Sequence, residues 1–347
     1  MLPRVVLKKF LPASLLPLAR RSYFSLRDAR RRLKARFSRR YAASLYAQDS
    51  GIFQMALRGS MNQNCCELHV FVQYRMLCGL AAKVGKTLGG HVLEVGACGH
   101  PGMALMLLLG GAEKVTLNNI FAIQNRLPRS WAENAHVLMR LTGTPKRSLD
   151  SIVEPLEDGF VRVRPELLDL PAPCPCETLA FPAESFDVIF SNAVLEHVRD
   201  PVPVLRNLHD MMAMGGWYAH AIDLRDHWDF DRPLAFLSLS DAEFRSLDPY
   251  SNRYRSSDWV GSFHAAALTT DYVALSAPQP LTHEKGTDTY RIVLTENIPP
   301  DEAAAQKVVS WVTNDARAHM APEFHGHGLD VLSVTSMLVA GRKRETR

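Results

Sequence analysis

Short apolar runs alternate with segments of helical periodicity along the middle of the chain. The run 91–95 has the apolar, β-branched character of a strand and leads into a glycine-rich turn, after which 103–109 predicts a helix that Gly110 ends. Runs at 113–120 and 186–191 predict two further strands. Strands that alternate with helices form a mostly parallel sheet covered on both faces, so the pattern predicts an α/β fold of the doubly wound type.

The alternation continues in the second half of the chain. In 204–213 apolar residues recur at 204, 205, 208, 211 and 212, which is the period of a helix, and the glycine pair at 215–216 is expected to end it. The sequence then predicts a strand at 217–223, a helix at 259–268 and a final strand at 330–340. The stretch 121–160 is longer than a plain crossover requires, and 131–141 predicts an additional helix within this insertion.

The first 48 residues are strongly basic. They hold 13 Lys and Arg residues and one acid, Asp28, whereas 49–347 carry 27 basic and 35 acidic residues. Within 22–41 apolar residues recur at 26, 33, 37 and 41 among arginines, which predicts a basic amphipathic helix. Such a helix suits attachment to an anionic membrane surface. A solvated helix packed on the body, a transit peptide and a nucleic-acid arm are the alternative interpretations.

Composition narrows the class of protein. The chain has 347 residues, 47% hydrophobic and 22% charged, which is typical of a soluble globular protein and excludes collagen, coiled coil and disorder. No run reaches 18 uncharged apolar residues, so no membrane span is expected. Six cysteines in a chain of this length indicate a reducing compartment. We therefore expect a cytoplasmic protein, which the basic extension would hold at the inner face of a membrane.

An acid precedes the first glycine-rich turn. Glu94 lies two residues before Gly96, and the turn continues through Ala97 to Gly99. Glycines there let the backbone turn sharply and approach a ligand closely. Glu94 would repel a pyrophosphate, whereas S-adenosylmethionine carries a sulfonium and an ammonium that a carboxylate attracts. The turn therefore favours S-adenosylmethionine, and a nicotinamide oxidoreductase is the least favoured interpretation.

Two ordered motifs resemble the class I S-adenosylmethionine-dependent methyltransferases with a type 11-like domain. The first is the acid and glycine turn at 94–99, which is similar to motif I of that family. The second combines a Ser-Phe-Asp strand start at 185–187, a Leu-Glu-His segment at 195–197 and the glycine pair at 215–216. The resemblance covers about 65–280. It implies a Rossmann-like, doubly wound, seven-stranded, mostly parallel sheet, with S-adenosyl-L-methionine as the cofactor.

The resemblance also implies which residues hold the cofactor. The turn would contact its methionine part, and Asn118 and Asn119 stand where the family usually has an acid on the ribose hydroxyls. Glu177 would lie at the edge of the adenine, and the carboxyl end of strand 186–191 lies at the switch point of the sheet, where ligands bind. The expected cofactor-binding residues are Glu94, Gly96, Ala97, Gly99, Asn118, Asn119, Glu177, Ser191 and Asn192.

Histidines near the expected pocket point to acid–base chemistry. Methyl transfer needs mainly alignment of donor and acceptor, but a hydroxyl acceptor gains from a general base, for which histidine is the usual choice. We expect His197 and His227 as catalytic residues, with Asp226 as orienter or alternate base. A local capping or packing role for His197 is the alternative. Charged segments at 223–232 and 252–258 are expected on the acceptor side, which the insertion also shapes.

No metal site is expected from the spacing of ligand residues. The cysteine pairs at 65–66 and 174–176 lack a second pair at metal spacing. His325 and His327 are interpreted as free loop histidines.

These observations predict a basic extension over 1–48 and a methyltransferase domain over 49–347, with acceptor-side segments at about 223–262. The expected function is methylation at an oxygen of a small molecule, sugar or lipid-linked glycan, the last suggested only by the extension. The alternative is a noncatalytic protein of this fold that binds a membrane or a partner through its basic N-terminus. Nucleic acid is not an expected partner.

Overall fold

A computed structural model describes residues 67–227, 234–280, 290–296, 320–332 and 334–344. For 276–280, 290–296, 329 and 330 it describes the backbone alone. The basic extension, its predicted amphipathic helix and the cysteine pair at 65–66 lie outside the described residues.

Seven α-helices and eleven strands are assigned within these ranges. The helices are α1 Glu67–Lys83, α2 Gly102–Leu109, α3 Arg129–Leu141, α4 Pro201–Met211, α5 Asp241–Leu247, α6 Ser256–Ala265 and α7 Leu329–Leu332. The strands are β1 His91–Val95, β2 Lys114–Asn118, β3 Leu127–Pro128, β4 Val153–Pro155, β5 Phe160–Val163, β6 Leu168–Asp169, β7 Phe186–Asn192, β8 Met212–Asp223, β9 Tyr272–Pro280, β10 Tyr290–Glu296 and β11 Ser336–Arg342.

The main sheet has the strand order β10-β9-β11-β8-β7-β1-β2-β6. The neighbouring strands from β8 to β6 are parallel, whereas β11 pairs antiparallel with both β8 and β9, and β10 pairs antiparallel with β9. The predicted doubly wound, mostly parallel sheet of seven strands is confirmed, and β10 adds an eighth strand at the edge. Val95 is in register with Asn118 of β2 and Ser191 of β7, so the carboxyl ends of the central strands meet at one edge.

Helices cover both faces of the sheet. On one face α1, α2 and α3 pack together, and every residue of α2 is buried, which explains its uniformly apolar sequence. On the other face α4 and α6 pack on β7, β8 and β11 through a second apolar cluster. Among the described residues, no helix has the length and apolar character needed to cross a bilayer.

The insertion forms a small unit of its own. Strands β3, β5 and β4 make a three-stranded antiparallel sheet, and α3 begins at Arg129, two residues before the predicted helix. These strands have two to four residues, too few to show a period in the sequence.

Predicted boundaries differ from the structure at several elements: α6 begins and ends three residues earlier than the predicted 259–268, and larger differences lie at the glycine pair and the final strand. The glycine pair lies inside β8, where Gly215 has φ +77° and the register with β7 shifts, while α4 already ends at Met211. The irregular pairing of β8 with β7 at this point therefore accounts for the left-handed Gly215. The final strand begins at Ser336, because 329–332 forms the short helix α7 instead.

Candidate active site

Glu94 lies near the carboxyl end of the central strand β1. It is in register with Leu117 on one side and Phe190 on the other, and its side chain is buried. This position puts a buried carboxyl group just ahead of the glycine turn.

The glycine turn is fixed by contacts within the chain. The backbone amides of Gly96 and Ala97 both donate to the carbonyl of Asn118, at 3.0 and 2.8 Å, and tie the turn to the end of β2. Gly96 has φ +77°, and a Cβ built on it would lie 2.2 Å from Cγ2 of Val194. Glycine is therefore required at 96 both by backbone conformation and by the close approach of the loop after β7.

Trp131 of the insertion packs against the start of α2. The rings of His100 and Trp131 meet edge to face with centroids 5.5 Å apart, and His100 Nδ1 accepts from the Gly102 amide at 3.0 Å. A Cβ on Gly102 would lie 2.6 Å from the Trp131 ring. The insertion, which we expected on the acceptor side, thus reaches the glycine turn.

The two asparagines after β2 are engaged by the chain. The Asn118 side-chain amide donates to the carbonyl of Cys174 at 3.0 Å and is buried. The Asn119 amide donates to the carbonyl of Ala97, and its oxygen accepts from the Phe121 amide at 3.1 Å. A ribose contact from either residue would compete with these hydrogen bonds.

The remaining expected cofactor residues are spread along the same edge. Glu177 is exposed and accepts from the Cys176 thiol at 3.4 Å. Asn192 is half-buried at the end of β7. Ser191 is buried, and its hydroxyl is hydrogen-bonded at 2.8 Å to Nδ1 of His220, the residue in register on β8. Burial lowers the pKa of His220 to about 3.

Beyond β7 the chain makes a tight loop that presents Glu196 and His197. Ala193 has φ +53°, and the Asn252 side chain donates to the carbonyls of Leu195 and Val198 at 2.9 and 2.7 Å. Glu196 is only 4% exposed, and neither of its carboxylate oxygens has a hydrogen-bond partner among the described residues. Burial raises its pKa to about 8.

His197 is held by a hydrogen-bonded chain from the loop after α5. Its Nδ1 lies 3.0 Å from Ser251 Oγ, and the Ser251 hydroxyl donates to Asp248 Oδ2 at 2.8 Å. Because that hydroxyl proton is used on Asp248, Nδ1 of His197 is the donor to Ser251 and Nε2 carries the lone pair. Although much of the residue is exposed, desolvation of its ring and the neighbouring His227 lower the pKa of His197.

His227 lies beside His197, with ring centroids 4.7 Å apart. Its Nε2 is 3.4 Å from Asp223 Oδ2, and Arg225 binds the same carboxylate through two nitrogens, at 2.6 Å for the shorter contact. Although burial opposes it, the Asp223 carboxylate raises the pKa of His227. The orienting carboxylate that the structure places against His227 is therefore Asp223, whereas the expected Asp226 is buried next to it in the chain.

Several residues of this cluster were absent from the expected catalytic set. Asp223 precedes His227 by four residues at the end of β8, a spacing that the sequence shows. Asp248 and Ser251 lie more than 50 residues from His197 and give no local signal. In the predicted cationic segment at 252–258, Arg253 lies over the Phe244 and Phe324 rings and also lines the cavity beside Glu196, whereas Arg255 is fully buried against backbone carbonyls.

A family model described as "Methyltransferase domain" matches residues 163–220. The match runs from the end of β5 through β7, the Leu195–His197 turn and α4 into β8, and it does not include the glycine turn. A comparison with curated protein sequences found no match.

Solved structures with a similar fold include the YcgJ protein from Bacillus subtilis, at 14% identity and a TM-score of 0.39, covering 79% of this chain and 100% of that one. Another is geranyl diphosphate C-methyltransferase from Streptomyces coelicolor A3(2) in complex with Mg²⁺, geranyl diphosphate and S-adenosyl-L-homocysteine, at 11% identity and a TM-score of 0.40, covering 84% of this chain and 86% of that one. At these TM-scores neither likeness bears on the substrate or on individual site residues.

Proposed function

We propose that the chain is a class I S-adenosylmethionine-dependent methyltransferase that transfers a methyl group to a hydroxyl oxygen of a small molecule, sugar or lipid-linked glycan. The observation that supports an oxygen acceptor is the convergence of Glu196, His197 and His227, whose ligand atoms lie within 4.8 Å of one another beyond the carboxyl end of β7. The two imidazoles can orient a hydroxyl and receive its proton. An acceptor that is already anionic would need no such group.

The residues at the glycine turn fit S-adenosylmethionine. Glu94 places a buried carboxyl group ahead of a turn whose first glycine is left-handed, and an acceptor of this kind suits a cofactor with a sulfonium and an ammonium. The negative charges of a pyrophosphate would be repelled by a carboxylate at this position. Glu94 and the turn would hold the methionine part, and Glu177 would lie near the adenine.

When bound, S-adenosylmethionine supplies a methyl group already activated on its sulfonium. The chain's own residues bind and align the acceptor, exclude water and receive one proton. Asp223, which Arg225 holds in place, fixes the ring of His227, so we assign it the role of a positioning residue. His197 presents Nε2 toward the acceptor because Ser251 holds Nδ1.

Two observations in the expected cofactor region favour a second function, that of a noncatalytic protein of this fold. Val194 lies against Gly96, and the side-chain amides of Asn118 and Asn119 are engaged by the chain. For such a protein, residues 1–48 would bind an anionic membrane at the cytoplasmic side, as the charge pattern suggests. Cosedimentation with phosphatidylserine vesicles, compared with neutral vesicles and with chain lacking 1–48, tests that attachment.

The acceptor class is tested with S-adenosylmethionine that carries a labelled methyl group. Full-length protein would be incubated with pooled hydroxylated mono- and oligosaccharides, and separately with pooled amines and carboxylic acids. We expect label in the hydroxylated pool in a form that mild alkali does not release, since methyl ethers survive treatment that hydrolyses methyl esters. Alkali-labile label, or label only in the amine pool, would contradict a hydroxyl acceptor.

Variants test the role of the histidines. His227→Ala should lower kcat by about 10²-fold or more, which is the usual contribution of a proton acceptor. The KM for S-adenosylmethionine should change little, because the histidine acts on the acceptor. His264→Ala is the matched control, since His264 is an exposed histidine at the end of α6. Equal activities of the two variants would exclude the catalytic role.

A further inference from the structure

We propose that Glu196, His197 and His227 form a binding site for one divalent transition-metal cation beside the acceptor position. Each residue offers one ligand atom, and these atoms all lie within 4.8 Å of one another. With metal–ligand bonds of about 2.0–2.2 Å, ligand atoms around a cation lie roughly 3–4 Å apart. Small movements of the side chains would therefore complete the site.

The environment of Glu196 independently indicates a ligand. The residue is 4% exposed, and both of its carboxylate oxygens are buried without a hydrogen-bond partner among the described residues. A buried carboxyl group that lacks partners is costly to maintain. A cation between Glu196 and the two imidazoles would satisfy this group.

In both histidines one ring nitrogen already has a polar partner, as is usual for histidines that ligate a metal through the other nitrogen. The Ser251 oxygen accepts a hydrogen bond from Nδ1 of His197, which leaves Nε2 for the cation, while Asp223 lies 3.4 Å from Nε2 of His227. A carboxylate or hydroxyl on the second ring nitrogen fixes the ring and increases the basicity of the ligating nitrogen. Arg225 keeps Asp223 in place without entering the ligand set.

The ligand chemistry selects the cation. Two imidazoles and one carboxylate suit the series from Mn²⁺ to Zn²⁺, whereas Mg²⁺ and Ca²⁺ prefer oxygen ligands. Three protein ligands leave coordination positions open, as in catalytic rather than structural sites. A cavity of about 30 Å³, lined in part by Glu196, Asp223, Asp226 and His227, lies beside the group and has room for about one water-sized ligand.

For its use in catalysis the inference rests on the proposed function. A bound cation would hold the acceptor hydroxyl and lower its pKa, so that the proton leaves to solvent. The oxygen–methyl bond then forms as the sulfur–methyl bond breaks, giving a methyl ether and S-adenosylhomocysteine. With the cation in place the two histidines act as ligands; in the metal-free protein they are the proton acceptors.

Metal binding is tested on full-length protein that has been treated with a chelator and desalted. Calorimetric titration with ZnCl₂ and MnCl₂ should show one equivalent bound, with MgCl₂ as the weak-binding control. Glu196→Gln, His197→Ala and His227→Ala should each weaken Zn²⁺ binding at least tenfold, while His264→Ala should leave it unchanged. Absence of binding at millimolar metal, or equal binding by all four variants, would overturn the proposal.

A spectroscopic measurement keeps the test independent of how the variants fold. Co²⁺ added to the unsubstituted protein should give visible absorption bands of a nitrogen and oxygen site, and Zn²⁺ should displace them. A thiolate charge-transfer band would instead assign the metal to cysteines and refute the site. S-adenosylmethionine titrated into the metal-free protein separates the two proposals: cofactor binding without metal binding leaves the methyltransferase function intact and removes only the metal.

Discussion

Replacement of Gly96 by alanine perturbs the glycine turn in two separable ways. At φ +77° an alanine adopts the left-handed conformation, at a cost of about 1–2 kcal/mol. The new Cβ would also lie 2.2 Å from Cγ2 of Val194, and overpacking of this kind costs about 1–3 kcal/mol. We therefore expect Gly96→Ala to lower the free energy of unfolding by about 2–5 kcal/mol.

Gly85 provides a matched control for the backbone contribution. It has φ +66°, and a Cβ built there would have no atom within 4 Å. Gly85→Ala should consequently lower the free energy of unfolding only by the conformational cost, about 1–2 kcal/mol. The difference between the two variants measures the contact with Val194.

A double variant tests that contact directly. Val194→Ala removes both Cγ atoms and leaves its Cβ 3.2 Å from the alanine methyl group, a tight but tolerable distance. Val194→Ala combined with Gly96→Ala should therefore recover most of the steric loss, read as a coupling energy in a double-mutant cycle. Urea unfolding followed by circular dichroism gives all four free energies, provided that the m-values agree. A Gly96→Ala loss equal to that of Gly85→Ala, or no coupling with Val194, would refute the reasoning.

Two further predictions concern buried polar groups. Arg255→Met removes the donor to the buried carbonyls of Leu224, Leu332 and Val334. It should therefore lower the free energy of unfolding in urea by about 3–5 kcal/mol, whereas Arg199→Met at the surface should lower it by under about 0.5 kcal/mol. A loss below about 1 kcal/mol for Arg255→Met would contradict this role. Because the pKa of His220 is about 3 in the folded protein and near 6.5 in the unfolded chain, its contribution to stability is complete above pH 6.5 and is lost as the pH falls below that value. His220→Asn should therefore reduce the loss of stability between pH 6 and 5 by about 1.2 kcal/mol relative to the unsubstituted protein, and identical pH profiles of the two proteins would show that His220 is not the titrating group.

The sequence predicts those elements whose signals are local. Helix α4 was predicted from its period, and Val204, Leu205, Leu208 and Met211 are indeed buried. Strands β1 and β7 were recognisable because each is a short apolar run bounded by polar or glycine-containing turns. The three short strands of the insertion were missed because pairing between distant segments, rather than their own pattern, defines them.

The site also combines residues with a local sequence signal and partners that are distant in the sequence. Glu94 and the glycine turn follow from one stretch of sequence, and so do His197 and His227 as individual candidates. Their chemistry depends on partners that the fold supplies: Ser251 lies 54 residues from His197, and the backbone carbonyl of Glu196 accepts from the backbone amide of Asn252 at 3.0 Å. The Leu-Glu-His segment by itself gives no indication that its carboxyl group is buried.

The central claim is that the turn after Glu94 binds S-adenosylmethionine. The most direct measurement is calorimetric titration of the full-length protein with S-adenosylmethionine and S-adenosylhomocysteine, with NADH as the ligand control. We expect one equivalent of either sulfur compound to bind, at least tenfold more weakly in Glu94→Gln and equally well in Glu113→Gln, which alters an exposed acid at the opposite edge of the sheet. No saturable binding at millimolar ligand, or binding that Glu94→Gln leaves unchanged, would contradict the account.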